Sequence, residues 1–164
     1  MEFISMGLNM NKEELIKIKG ELTIIIRDAE TGKIKSEDHY KNMFVTAGKN
    51  AIADALRGTT ANNKGIITYC ALGTGTVAPA LADTALQTEI SRKLISVRSV
   101  SGKVATFDTF FTTSEGNGTL REAGLFGDDA SATPGSGTLF ARTNINRTKT
   151  SNDTLSMSWT ITIG

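Results

Sequence analysis

One histidine, one cysteine and seventeen carboxylates are the residues through which this chain could do chemistry. His39 is the sole candidate for a histidine-dependent nucleophilic triad. On a strand it shares a face with Lys35, Glu37 and Lys41, which reads as a solvated charged surface rather than a positioned base. A zinc centre built from several His or Cys is excluded by count. Cys70 lies in the apolar run from Ile66 to Leu72, so a buried structural thiol is expected and no internal disulfide can form. Asp128 and Asp129 sit together beside Ser131 but lack the Asp-x-Asp-x-Asp-Gly order of a calcium loop. They read as an ordinary solvated loop. Gly73-Thr74-Gly75-Thr76 has the composition of a phosphate cradle but not the Gly-Lys-Ser/Thr ending of one, so it reads as a turn. No catalytic residue, cofactor site or metal site is therefore expected.

Glu122 stands apart. On an ideal strand over Thr119–Phe126 it shares the face of Leu120 and Phe126, with Ala123 and Leu125 opposite. A carboxylate on an apolar face needs a cation or several donors. Arg92, Arg98 and Arg142 are the candidates, and a structural ion pair of Glu122 with Arg92 or Arg142 is expected. A bulge near Gly124 would change the parity and remove the conflict.

The elements that must position these residues are mostly strands. Leu155, Met157, Trp159, Ile161 and Ile163 alternate with Ser156, Ser158, Thr160 and Thr162, a period of two that defines a half-buried terminal strand. Trp159 falls on its apolar face and reads as core. Leu22, Ile24 and Ile26 begin a hairpin that turns at Asp28–Lys33 and returns over about Lys33–Lys41. Ala47–Arg57 has the i, i+3, i+4 spacing of a helix, with Gly58 at its C-terminal end. A second short helix is expected within Ala80–Lys93, from the Thr84-x-x-Gln87 capping pattern and the Leu86/Ile90 spacing. From Leu94 onward the chain reads as β, with Ser101-Gly102 as a tight turn. The expected fold is mainly β: an antiparallel sandwich of about seven or eight strands with one or two short helices. Residues 1–17 read as an N-terminal arm or leader, with Met1, Met6 and Met10 as alternative starts, and 18–164 as a single domain.

Bulk composition narrows the partners. The 164 residues carry a net charge of +1, and only 6% are aromatic. That offers neither the field nor the stacking surface of a nucleic-acid binder. No apolar run approaches a membrane span.

Several ordered blocks resemble a known group. They are Ala71-Leu72-Gly73-Thr74-Gly75-Thr76-Val77-Ala78-Pro79, Asp83-Thr84-Ala85-Leu86, Arg121-Glu122-Ala123-Gly124-Leu125-Phe126, Thr138-Leu139-Phe140-Ala141-Arg142 and Trp159-Thr160-Ile161-Thr162. Together with Lys19-Gly20-Glu21 they resemble small structural proteins of tailed bacteriophages and prophages, the tail-fibre-like and head-decoration virion proteins. The resemblance implies a non-enzymatic homo-oligomer on the particle exterior, made in the bacterial host cytoplasm. Its partners would be itself and other virion proteins, such as the major capsid protein or tail proteins. Without repeats or a coiled coil the chain lacks the means to build fibre length, which ranks head decoration ahead of a tail-fibre, neck or baseplate piece. A carbohydrate- or receptor-binding module, touching a host surface glycan, is the reading from a different class. Trp159, Tyr40 and Tyr69 do not supply it with exposed loop aromatics.

Overall fold

The computed structural model describes residues 17–56 and 65–164. Residues 1–16 of the N-terminal arm, the alternative starts, Gly58 and most of the Thr59–Gly65 loop lie outside them. Nine strands and one helix occur among the described residues: β1 Ile18–Asp28, β2 Ile34–Phe44, α1 Thr46–Leu56, β3 Ile67–Gly73, β4 Glu89–Leu94, β5 Val97–Ser101, β6 Val104–Phe111, β7 Gly118–Gly127, β8 Thr138–Lys149 and β9 Asp153–Ile163.

They form one antiparallel sheet in the order β4-β3-β7-β8-β2-β1-β9-β6-β5, curved into a half-barrel. The expected sandwich of seven or eight strands is thus replaced by nine strands in unbroken hydrogen-bonded succession. The junction is β2. Residues Ile34–Asn42 pair along β1, and then Met43 and Phe44 alone pair with Arg142 and Ala141 of β8. A two-residue ladder makes no sequence pattern, so periodicity alone reads two separate sheets. The expected helix within Ala80–Lys93 is also absent. Turns occupy its first half and β4 its second.

The core follows the alternation of the strands. Leu22, Ile24 and Ile26 of β1 meet Leu155, Met157, Trp159 and Ile161 of β9, and Phe111 joins them from β6. Leu72, Leu120, Leu125 and Ile145 come to the same cluster from the other half of the sheet. Cys70 Sγ lies 3.8 Å from Met157 Sδ, so the two halves touch there. Burial pushes the Cys70 thiol up to about 12 and leaves it inert. A smaller cluster of Val45, Ala71, Leu86, Phe126 and Leu139 occupies the opposite face of β3, β7 and β8.

α1 lies against β8 at Gly48. A Cβ there would fall 2.6 Å from the Phe140 Cα and carbonyl oxygen, which are backbone and cannot step aside. Glycine is the residue that lets the helix approach so closely. Gly48→Ala should therefore destabilise by about 1–3 kcal/mol, despite the better helix propensity of alanine. Urea denaturation would measure it, and an unchanged or raised midpoint would disprove the contact.

The open ends of β1, β2 and β9 are tied by charge. Asp28 and Asp153 stand directly opposite one another across the β1–β9 ladder. Lys35 lies between them, 3.1 Å from Asp28 Oδ2 and 2.6 Å from Asp153 Oδ1. The lysine, together with the Thr150 hydroxyl and amide, holds the Asp153 carboxyl at about 2 against an ordinary 3.8. Lys93 and the Thr112 amide hold Glu115 at about 2 against 4.5. Both carboxyls are more acidic folded than unfolded. Their stabilisation is complete above the unfolded values and is lost as pH falls through the folded ones. Thermal midpoints should accordingly drop between pH 4.5 and 2. Asp153→Asn should lower the neutral-pH midpoint and flatten that acid limb, and an acid limb as steep as the parent's would exclude Asp153 as a contributor.

Candidate functional site: a carboxylate in a backbone cradle

Glu122 is fully buried. The β7–β8 ladder shifts register twice: between Leu120 and Glu122, where Arg121 faces both Ile145 and Asn146 of β8, and between Leu125 and Phe126, beside Gly124, where Phe140 is the extra residue. Leu120 joins Ala123 and Leu125 in the main core, whereas Glu122 turns to the opposite face of the sheet, the side of Gly124 and Phe126. Glu122 stays buried on the face that carries Phe126, so the carboxylate still needs donors and a cation. The face is covered by the long connection from Gly73 to Thr88, and that connection supplies the donors.

Glu122 Oε1 accepts hydrogen bonds from the Gly75 amide at 3.0 Å and the Thr88 amide at 2.7 Å. Oε2 accepts from the Gln87 amide at 2.9 Å and from Arg142 Nε and Nη2 at 3.1 and 2.9 Å. The glycine-rich turn after β3 does cradle an anion, but that anion is the protein's own. Gly75 and Gly73 are required for contact: a Cβ on either would fall within 2.5 Å of Glu122 Oε1.

Arg142 is the cation. Its Nη1 donates to Asp83 Oδ2 at 2.6 Å and its Nη2 to the Val77 carbonyl at 3.0 Å. Partial burial opposes ionisation of Asp83, but the Ala80 amide and the guanidinium outweigh it and hold the carboxyl below its ordinary value. Gln87 continues the network, because its side-chain oxygen accepts from the Thr76 and Val77 amides at 2.9 and 3.0 Å. The residue that reads as half of a helical capping box therefore ties two ends of a loop together.

Arg92 and Arg98 do not reach Glu122. Arg92 pairs with Glu89, with Nε 2.6 Å from Oε1 and Nη2 2.8 Å from Oε2. Its guanidinium carbon stands 4.3 Å from the centre of the Phe126 ring, and Nη1 binds the Ser136 carbonyl and hydroxyl. Arg92 thus fastens the β7–β8 loop to β4. Arg98 lies on β5, where every residue is exposed. In the same β7–β8 loop Asp128 is buried rather than solvated, and its Oδ1 accepts from the Gly65 amide at 2.6 Å. Asp128 and Asp129 both adopt positive φ, which Asp tolerates better than most residues.

Sequence reasoning missed Lys149, whose side chain is buried among the Thr112 carbonyl, Asn117 Oδ1 and the Thr150 carbonyl. Burial pushes its ammonium below the ordinary value. The signal was available: the alternation of β8 aims Lys149 inward with Ile145. Asp83 carries no comparable signal, since its role depends on how the loop folds back.

His39 is exposed, with Nδ1 3.0 Å from the Thr23 hydroxyl and Nε2 3.6 Å from Glu37. No buried or aligned carboxylate orients it. Among the described residues no three His, Cys, Asp or Glu side chains converge as a metal site, and no helix is long and apolar enough to cross a membrane. Comparison with family models, curated proteins and solved structures gave no match.

The geometry makes Glu122 a structural anchor with no lone pair left for substrate. Glu122→Ala should cost about 3–5 kcal/mol, because it strands a buried guanidinium and three amides. Arg142→Ala should cost less, since the carboxylate keeps its three amide donors. The double variant should be close to Glu122→Ala alone, a coupling read from a double-mutant cycle. Additive losses would show that the two side chains act independently.

Proposed function

We propose that this chain is a non-enzymatic structural protein of a tailed bacteriophage particle, an accessory protein on the exterior, with head decoration as its place. The family resemblance of the sequence motivates the reading, and one structural observation supports it. Some of the exposed aliphatic side chains stand on the two strands that end the sheet: Ile90 and Leu94 on β4, and Val97 and Val100 on β5. Val100 is 77% exposed although it shares the face that carries Phe107 and Phe111 toward the core. Open sheet edges bearing apolar side chains invite pairing with other chains, and proteins that stay single blunt them with charge, proline or bulges. The β5–β6 ladder has no bulge, and Arg98 is the only charge on β5. β4 carries Glu89, Arg92 and Lys93 and a register shift, so the open apolar edge is that of β5. Such an edge suits a chain that works among neighbours, where many weak contacts add avidity. The charged network around Glu122 fits the same use, because it stiffens the module and offers no reactive group.

The alternative is a tail-fibre, neck or baseplate component, which the same edge would serve. Quantitative mass spectrometry of purified particles against the major capsid protein separates the two. Copies in numbers comparable to the capsid lattice are expected for head decoration. A few copies matching one tail ring would move the protein to the tail, and absence from the particle would overturn both readings. Val100→Lys should leave the unfolding free energy of the isolated protein within about 0.5 kcal/mol of the parent but reduce incorporation. Full incorporation would remove β5 as a contact.

A further inference from the structure

The outward side of the β1–β9–β6–β5 half carries a second pattern. Its register lays out rows of side chains. Ile25 of β1 stands beside Ser156 of β9, which stands beside Phe110 of β6. In the next row Thr23 stands beside Ser158, Ser158 beside Asp108, and Asp108 beside Val97. Small hydroxyl residues thus floor a trough along β9, with larger side chains rising on both sides. The trough encloses about 340 Å³, within the range of small-molecule sites.

Its chemistry is specific. Phe110 keeps 43% of its surface exposed, while its neighbour Phe111 is buried. The Asp108 carboxylate and the Ser156 and Ser158 hydroxyls have no hydrogen-bond partner among the described residues. No lysine or arginine lines the trough, and Asp108 repels anions, so a phosphate or sulfate ligand is disfavoured. An extended peptide adding as a strand is also disfavoured, because β9 is already paired on both sides by β1 and β6 and its backbone has no free donors or acceptors. A ligand with one apolar face and several hydroxyls is complementary to this lining. Phe110 would lie against the C–H face, Asp108 would accept two hydroxyl donors, and Ser156 and Ser158 would serve the remaining hydroxyls.

We infer that this trough binds a neutral saccharide, stacked on Phe110 and held by Asp108. The inference stands apart from the particle role and does not rely on it. The affinity is expected in the millimolar range, since the trough is open and buries one face of one sugar ring.

The test is saturation-transfer NMR on the whole chain. The probes are glucose, galactose, mannose and N-acetylglucosamine with their linear oligomers, each at about 10 mM, a concentration matched to millimolar binding. Transfer to ring protons of at least one sugar is expected. Phe110→Ala and Asp108→Asn, both outside the core, should keep the parent melting midpoint and each weaken binding at least tenfold. No transfer from any sugar would overturn the inference. So would binding that both variants leave unchanged, because the sugar would then sit elsewhere.

Discussion

The buried pair of Glu122 and Arg142 is the constraint from which much of the rest follows. Each group alone would be too costly to bury, and together they still require more donors and acceptors than they provide each other. The Gly73–Thr88 connection meets that need with three amides, one carbonyl and Asp83. Sixteen residues with almost no regular secondary structure are held against the sheet by this demand. The connection in turn carries Leu86 onto the second core cluster, over Ala71, Phe126 and Leu139. Polar satisfaction and apolar burial are therefore set by one event, the seating of the loop.

The same logic recurs at smaller scale. Arg92 fixes the β7–β8 loop, Lys149 gathers the carbonyls around the β6–β7 and β8–β9 turns, and Lys35 separates two facing aspartates. Long charged side chains act as internal fasteners for loops that lack regular ladders. The outward face of β9 is left to small hydroxyl residues. Charge is used to close the fold, and the outward face of β9 carries none.

Much of this was legible in the chain, and what was not has physical causes. The perfect alternation of β9 gave its faces and the burial of Trp159, because a strand with one wet side imposes a period of two, though the strand begins at Asp153 rather than Leu155. The β1–β2 hairpin followed from its Gly32 turn for the same reason. The need of Glu122 for a buried cation was also readable, but not the choice of Arg142 over Arg92. That choice depends on which strand lies beside β7, a non-local fact. Its facing was unreadable because the β7–β8 ladder slips by one residue between Leu120 and Glu122 and the alternation breaks there, a slip that leaves no mark in the sequence. The helix expected at Ala80–Lys93 failed because the capping pattern of Thr84 and Gln87 is short, and Gln87 gains more from the Thr76 and Val77 amides. The continuity of the sheet rests on two residues of β2, too few to leave a pattern. The outward Phe110 could have been found, since adjacent residues on a strand cannot both face the core.

The position of β9 has a consequence for how the molecule comes into being. It lies between β1 and β6 and carries Trp159, the largest side chain in the core, yet it follows every other strand among the described residues. β1 must therefore wait for a partner more than a hundred residues away in sequence. Contacts of such separation make folding slow. During synthesis β1 and β6 emerge with the flank that β9 will occupy unpaired and their apolar faces open. Half of the molecule can close only after its final strand has left the ribosome, so the nascent protein passes through an interval in which association with other chains competes directly with its own completion.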